Sequence, residues 1–144
     1  MAEFPHHYDV TASGAPDGTV EVSSPGLDPL ATAPPAQFGG PGDRWSPETL
    51  LVAAAVDCFI LTFRAVSRAS QLPWTRLRCS GTGTLDRAEG GMRFTALALD
   101  VHLAVPAGVD AGRARRLLEK AEKSCLVTRS LAFEPTLAIS VETA

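Results

Sequence analysis

Hydrophobic and polar positions along this chain change their period several times, and each change marks an element. Residues 7–13 and 19–23 are short stretches rich in β-formers, and the Ala15-Pro16-Asp17-Gly18 segment between them suits a tight turn, so an opening hairpin is predicted. Residues 25–43 are dense in Pro, Gly and Ala without an apolar period, which predicts a long crossing loop. A helix should start at Ser46-Pro47-Glu48: Ser can cap, Pro suits the first helical position, and Glu meets the positive end of the helix dipole. The helix continues as LLVAAAVDCFILTFRAVSRAS, apolar on nearly every face until Arg64, so it should be packed on more than one side and is too apolar for a monomer.

Period two returns in residues 74–86, where Leu77, Cys79, Gly81 and Gly83 alternate loosely. It is clearer in residues 93–105, with Leu97, Leu99, Val101, Leu103 and Val105 on one face. The turn at residues 88–91 makes these a second hairpin. Beyond Pro106-Ala107-Gly108 a second helix places Ala114, Leu117, Leu118, Ala121 and Cys125 on one stripe and most of its charges elsewhere. A turn at residues 128–131 leads into a last strand, residues 136–142. This order predicts one α+β domain over residues 1–144, with antiparallel sheet and the helices gathered on one face.

Composition narrows the function classes. At 45% hydrophobic and 20% charged the chain should fold rather than stay disordered. Thirteen basic residues against sixteen acidic ones, scattered apart from Arg113, Arg115 and Arg116, argue against a nucleic-acid partner. The opening MAEFPHHYDV lacks a basic and apolar leader pattern, which predicts a cytoplasmic protein. The apolar run at residues 50–63 falls short of the roughly 20 residues that span a bilayer, so a core helix is expected and no membrane partner.

Candidate chemistry rests on the three cysteines, whose spacing fits no metal pattern. Cys58 lies midway along the first helix and Cys125 near the end of the second, each on an apolar face, so the two can be neighbours. A buried thiol can equally be a small core residue. Cys79, on a strand beside Leu77, reads as a sheet-face residue. His6, His7 and His102 have no second ligand at metal spacing, so no metal and no cofactor are expected.

The stretch GGPGDRWSPETLLVAAAVDCFIL resembles the signature of the OsmC/Ohr family, in which a Pro-Glu pair opens a central helix and the peroxidatic cysteine follows ten positions after that Glu, as Cys58 follows Glu48. AEKSCLVTRSL resembles the family's second-cysteine motif, and FPHHYDVTASG its first strand. The resemblance implies antiparallel sheets wrapped around a long buried central helix in an intertwined homodimer. It implies a Cys58 that attacks a peroxide and a Cys125 that resolves the sulfenic acid. Phe59, Leu61, Phe63 and Trp45 would suit an organic hydroperoxide. A dithiol such as lipoamide or a lipoylated protein would be the reductant.

Two positions depart from the family pattern. Pro16 stands in the first hairpin turn where an Arg would pair with the peroxidatic cysteine; Arg44 is the best substitute cation and Arg129 the second. Asp57 precedes the cysteine where a small residue is usual, although neighbours on a helix diverge by about 100°. Glu48 lies about 15 Å from its own Cys58 along a continuous helix, so it would serve the partner's Cys58 across a two-fold axis. The alternatives are a hot-dog-like thioesterase using Glu48 or Asp57, and a non-catalytic dimer binding a small apolar ligand.

Overall fold

The structure, a computed structural model, describes residues 3–143. The chain falls into two compact units that meet in sequence at Leu50 and Leu51.

In the first unit, β1 (Thr11–Ser13), β2 (Val20–Ser23) and β3 (Leu30–Thr32) form an antiparallel sheet in that order. The opening hairpin is as expected, with Thr11 opposite Ser23. β3 was not anticipated: a three-residue strand is too short to leave a period-two signal, and its pairing with β2 comes instead from register, Val20 lying opposite Thr32. Thr32 Oγ1 adds a bond to the Val20 carbonyl at 3.2 Å. A short 3-10 turn, Ala36–Phe38, comes next, and Gly40 then lies so close to the chain that a Cβ there would fall 1.7 Å from the Pro34 carbonyl oxygen. Only glycine fits that approach.

Helix α1 (Pro47–Ala69) begins where the sequence signals place it. Ser46 Oγ accepts the Thr49 N–H at 3.1 Å, and Thr49 Oγ1 accepts the Ser46 N–H at 2.9 Å. Two otherwise orphaned donors are thereby satisfied at the helix start.

The second unit is built on β4 (Arg76–Ala88), β5 (Gly91–Val105) and β6 (Thr136–Thr143), with β5 in the middle. β4 and β5 form the expected antiparallel hairpin, whereas β6 pairs parallel to β5, which corrects the expectation of antiparallel pairing throughout. The reason is α2 (Ala111–Ser124), which carries the chain back along the sheet, so the next strand must run in the direction of the last. Asp110 caps α2 by accepting the Gly112 N–H at 3.1 Å.

One core joins these elements: Phe59 and Phe63 of α1, Leu99, Val101, Leu103 and Val105 of β5, and Ala114, Leu118 and Ala121 of α2. Burying each large side chain fully contributes about 1.5–3 kcal/mol. Gly81 and Gly83 explain the loose alternation of β4. A Cβ at Gly81 would lie 2.7 Å from Val56 Cγ1, and one at Gly83 would lie 2.8 Å from Val52 Cγ2, so α1 rests directly on the strand where side chains are missing.

Within one chain the sheet covers a single stripe of the first helix, and Leu51 and Leu61 remain 37% and 50% exposed. By length and composition α1 also reaches what a membrane span requires, with a mean hydropathy of 1.9. The sequence count fell short because it stopped at Arg64, while the helix runs on to Ala69.

Candidate active site

The second unit brings two of the sequence-derived residues together. Cys58 is half-buried on α1, and Cys125 is fully buried at the C-terminal cap of α2, with both thiols free. The two thiols act on each other, each being among the groups that shift the other's acidity.

The residues just beyond Cys125 shape the site. The Cys125 carbonyl accepts the Arg129 N–H at 3.1 Å and the Thr128 hydroxyl at 3.3 Å, while Ser130 Oγ donates to the Leu126 carbonyl at 2.9 Å. The chain thus makes a tight turn whose carbonyls are used inside it and whose leading N–H groups, those of Leu126 and Val127, are directed at the Cys58 sulfur. Opening the turn would leave those donors without an acceptor. One turn further along α1 from Cys58, Thr62 Oγ1 lies 3.7 Å from the same sulfur.

These contacts set the charge of the pair. Burial by itself pushes the Cys58 thiol up, but the Val127 N–H, the Cys125 thiol, the Thr62 hydroxyl and the Leu126 N–H together outweigh it, and the thiol ends below its ordinary range. Cys125 moves the other way. Its burial dominates, bonds from the Thr128 N–H and hydroxyl offset part of it, and the charge on Cys58 raises it further. The pair therefore holds its first negative charge on Cys58 and keeps the remaining proton on Cys125. Cys79, partly buried on the core face of β4, is pushed up to about 11 by burial first and then by the charges of Asp100 and Cys125. It reads as the sheet-face residue the sequence indicated.

Asp57 is exposed, so it diverges from its half-buried neighbour as helix geometry requires. Arg129 is exposed and lines a cavity of about 510 Å³ with Glu122, Thr128, Phe133 and Glu134. The Glu122 carboxyl is raised there by burial and then by the charge of Glu134. In the first unit, Arg44 is exposed beside Asp43 and Trp45 and lines a cavity of about 420 Å³. Glu48 stands in the first turn of α1 with its Oε1 buried and without a hydrogen-bond partner among the described residues.

The sequence reading missed Thr62 and the amides of Leu126 and Val127. Thr62 had a legible signal, its four-residue spacing from Cys58, which puts both on one helix face. The amides had none, because every non-proline residue has an N–H and only the local fold decides where it points.

Two free thiols of opposite acidity, set on adjoining helices over a mixed sheet, define a dithiol α+β protein. A model of the OsmC-like protein family matches residues 40–140, and the chain belongs to that family. It is 30% identical over 92 residues to peroxiredoxin OsmC of Escherichia coli (strain K12), with 64% of each chain covered. It is 26% identical over 100 residues to the uncharacterized protein YmaD of Bacillus subtilis (strain 168), with 67% of each covered. The chain therefore spans about two thirds of the length of these curated relatives.

Among solved structures, the organic hydroperoxide resistance protein OsmC of Legionella pneumophila superposes with a TM-score of 0.77 at 25% identity, over 97% of this chain and 99% of that one. An OsmC-like protein of unknown function from Vibrio cholerae superposes with a TM-score of 0.86 at 12% identity, over 94% and 100%, and so shares the fold. The α+β fold with a long helix is that of the OsmC/Ohr structures, as the sequence motifs implied.

Proposed function

We propose that this protein is a thiol-dependent peroxidase that reduces organic hydroperoxides to alcohols. The observation that carries the proposal is the pair of free thiols Cys58 and Cys125, which act on each other so that the acidity of Cys58 is strengthened and that of Cys125 weakened. Support also comes from similarity to a protein named peroxiredoxin OsmC and to a structure named as an organic hydroperoxide resistance protein.

The Cys58 thiolate attacks one peroxide oxygen. A sulfur–oxygen bond forms, the oxygen–oxygen bond breaks, and the departing alkoxide takes up a proton to become the alcohol. Cys125 then loses its proton and attacks the Cys58 sulfenic acid. A disulfide forms and hydroxide leaves, so two thiol electrons have reduced one peroxide. A dithiol such as lipoamide, free or on a lipoylated protein, reopens the disulfide by two exchange steps and is itself oxidised. Phe59 and Phe63, expected beside the substrate, are fully buried in the core, so Leu61 and Leu126, 50% and 73% exposed, are the apolar surface offered to an alkyl tail.

The uncovered stripe of α1 at Leu51 and Leu61 supports an isologous homodimer built on that helix. In such a dimer Glu48, whose buried Oε1 lacks a partner among the described residues, and Arg44 would serve the Cys58 of the other subunit. We place the protein in the cytoplasm, where dithiol reductants keep such a pair turning over.

The test is consumption of an organic hydroperoxide with reduced lipoamide, followed by peptide mapping after one equivalent of peroxide. The expected product is a disulfide linking Cys58 and Cys125. A bridge containing Cys79, or no bridge, would sink the mechanism. Thioester hydrolysis unaffected by Cys58→Ser would favour a thioesterase.

A further inference from the structure

We propose that Thr62 is a positioning residue for Cys58, its hydroxyl holding the sulfur as a thiolate and aiming it out of the helix. The inference deepens the peroxidase reading of the same site by naming a residue that the two cysteine motifs leave out.

Geometry comes first. Thr62 follows Cys58 by four positions on an unbroken α1, so the two side chains stack on one face of the helix. The hydroxyl oxygen and the sulfur are 3.7 Å apart, and both residues are half-buried. A hydroxyl can donate or accept, whereas a thiolate can only accept. Once Cys58 has lost its proton, the Thr62 hydroxyl must therefore be the donor. A branched side chain suits the task, because a helix leaves Thr few χ1 rotamers and so limits where the oxygen can swing.

Chemistry explains why such a donor matters here. Cys58 lies in the middle of α1, outside the first turn where the helix dipole stabilises an anion. Its hydrogen-bonding neighbours in the second unit are neutral: two backbone amides, a thiol and this hydroxyl. Of these, Thr62 is a side chain that can be changed without disturbing the turn after Cys125 or the second thiol. It also lies on the same rigid element as Cys58, so its bond persists when Cys125 moves to form the disulfide. After the attack the same hydroxyl can donate to the sulfenic oxygen and hold it toward Cys125.

The experiment compares Thr62→Val, Thr62→Ala and Thr62→Ser in the full chain. Alkylation of Cys58 by iodoacetamide is followed against pH by mass spectrometry of its peptide, in the absence of peroxide. Thr62→Val and Thr62→Ala should raise the Cys58 midpoint by roughly one pH unit, which slows alkylation about tenfold at a fixed pH below both midpoints. Thr62→Ser should restore most of the rate, a rescue that a purely packing role for the Thr methyl would not give. An unchanged midpoint in folded Thr62→Val and Thr62→Ala, or failure of Thr62→Ser to restore it, overturns the role. Because alkylation involves no peroxide, a shifted midpoint in a protein that consumes no hydroperoxide would support the role of Thr62 while removing the peroxidase reading.

Discussion

Cys58 and Cys79 lie on two elements that pack against each other, α1 and β4, yet their sulfurs are driven in opposite directions. Both are partly buried, and burial is the leading cause that raises each. The difference is in what else reaches the sulfur. Cys58 receives two amides, a thiol and a hydroxyl; Cys79 receives only negative charge, from Asp100 and Cys125. Hydrogen-bond donors, rather than depth, separate the thiol whose acidity is strengthened from the one whose acidity is weakened here.

The contrast is most severely tested by removing the sulfurs themselves. Cys58→Ser is expected to abolish hydroperoxide consumption, and Cys125→Ser to react once and then stall as a sulfenic or sulfinic acid, both read by consumption assay and intact mass. If Cys58→Ser kept the first stoichiometric reaction and Cys125→Ser lost it, the roles would be reversed.

A smaller effect is expected where the two elements touch. Gly81→Ala would drive a methyl to within 2.7 Å of Val56 Cγ1 and 3.1 Å of Val52 Cγ1. Neither branched side chain can swing away easily, so a cost of about 1–3 kcal/mol is expected in thermal or urea unfolding. Because α1 carries Cys58, its displacement should also loosen the bonds to Val127 and Leu126 and raise the alkylation midpoint of Cys58. Unchanged stability would mean that the helix yields without cost.

The smallest effect belongs to Cys79. With its pKa moved from 9.0 to about 11, the folded chain binds this proton more tightly than the unfolded chain does. Its contribution to stability is therefore complete below pH 9.0 and is lost as pH rises through about 11. Cys79→Ala should flatten that alkaline decline in urea unfolding and leave peroxide consumption unchanged. In the unmodified protein Cys79 should be alkylated well after Cys58 at neutral pH, its thiolate fraction there being about 10⁻⁴.

Much of the fold was legible because its signals are local. The Ser46 cap, the Pro47 start and the alternation from Leu97 to Val105 each specify an element from within a few residues. The direction of β6 was not legible, since strand polarity follows from how far α2 carries the chain rather than from the strand's own residues. β3 escaped because three residues cannot show a period. At the site, the side-chain partners Cys58 and Cys125 could be read from motifs, while the acceptor geometry around them could not. Arg44 and Arg129 stand out in the sequence because charge is visible there and the direction of a backbone amide is not.

The use of amides at positions 126 and 127 also bears on how this chain can vary. A donor that belongs to the backbone survives any exchange of Leu126 or Val127 for another side chain, and it is removed only by proline, which has no N–H. A saturation library scored for peroxide resistance should therefore find both positions broadly permissive, with proline depleted alone. To an alignment such a site would look neutral, although the thiolate depends on it.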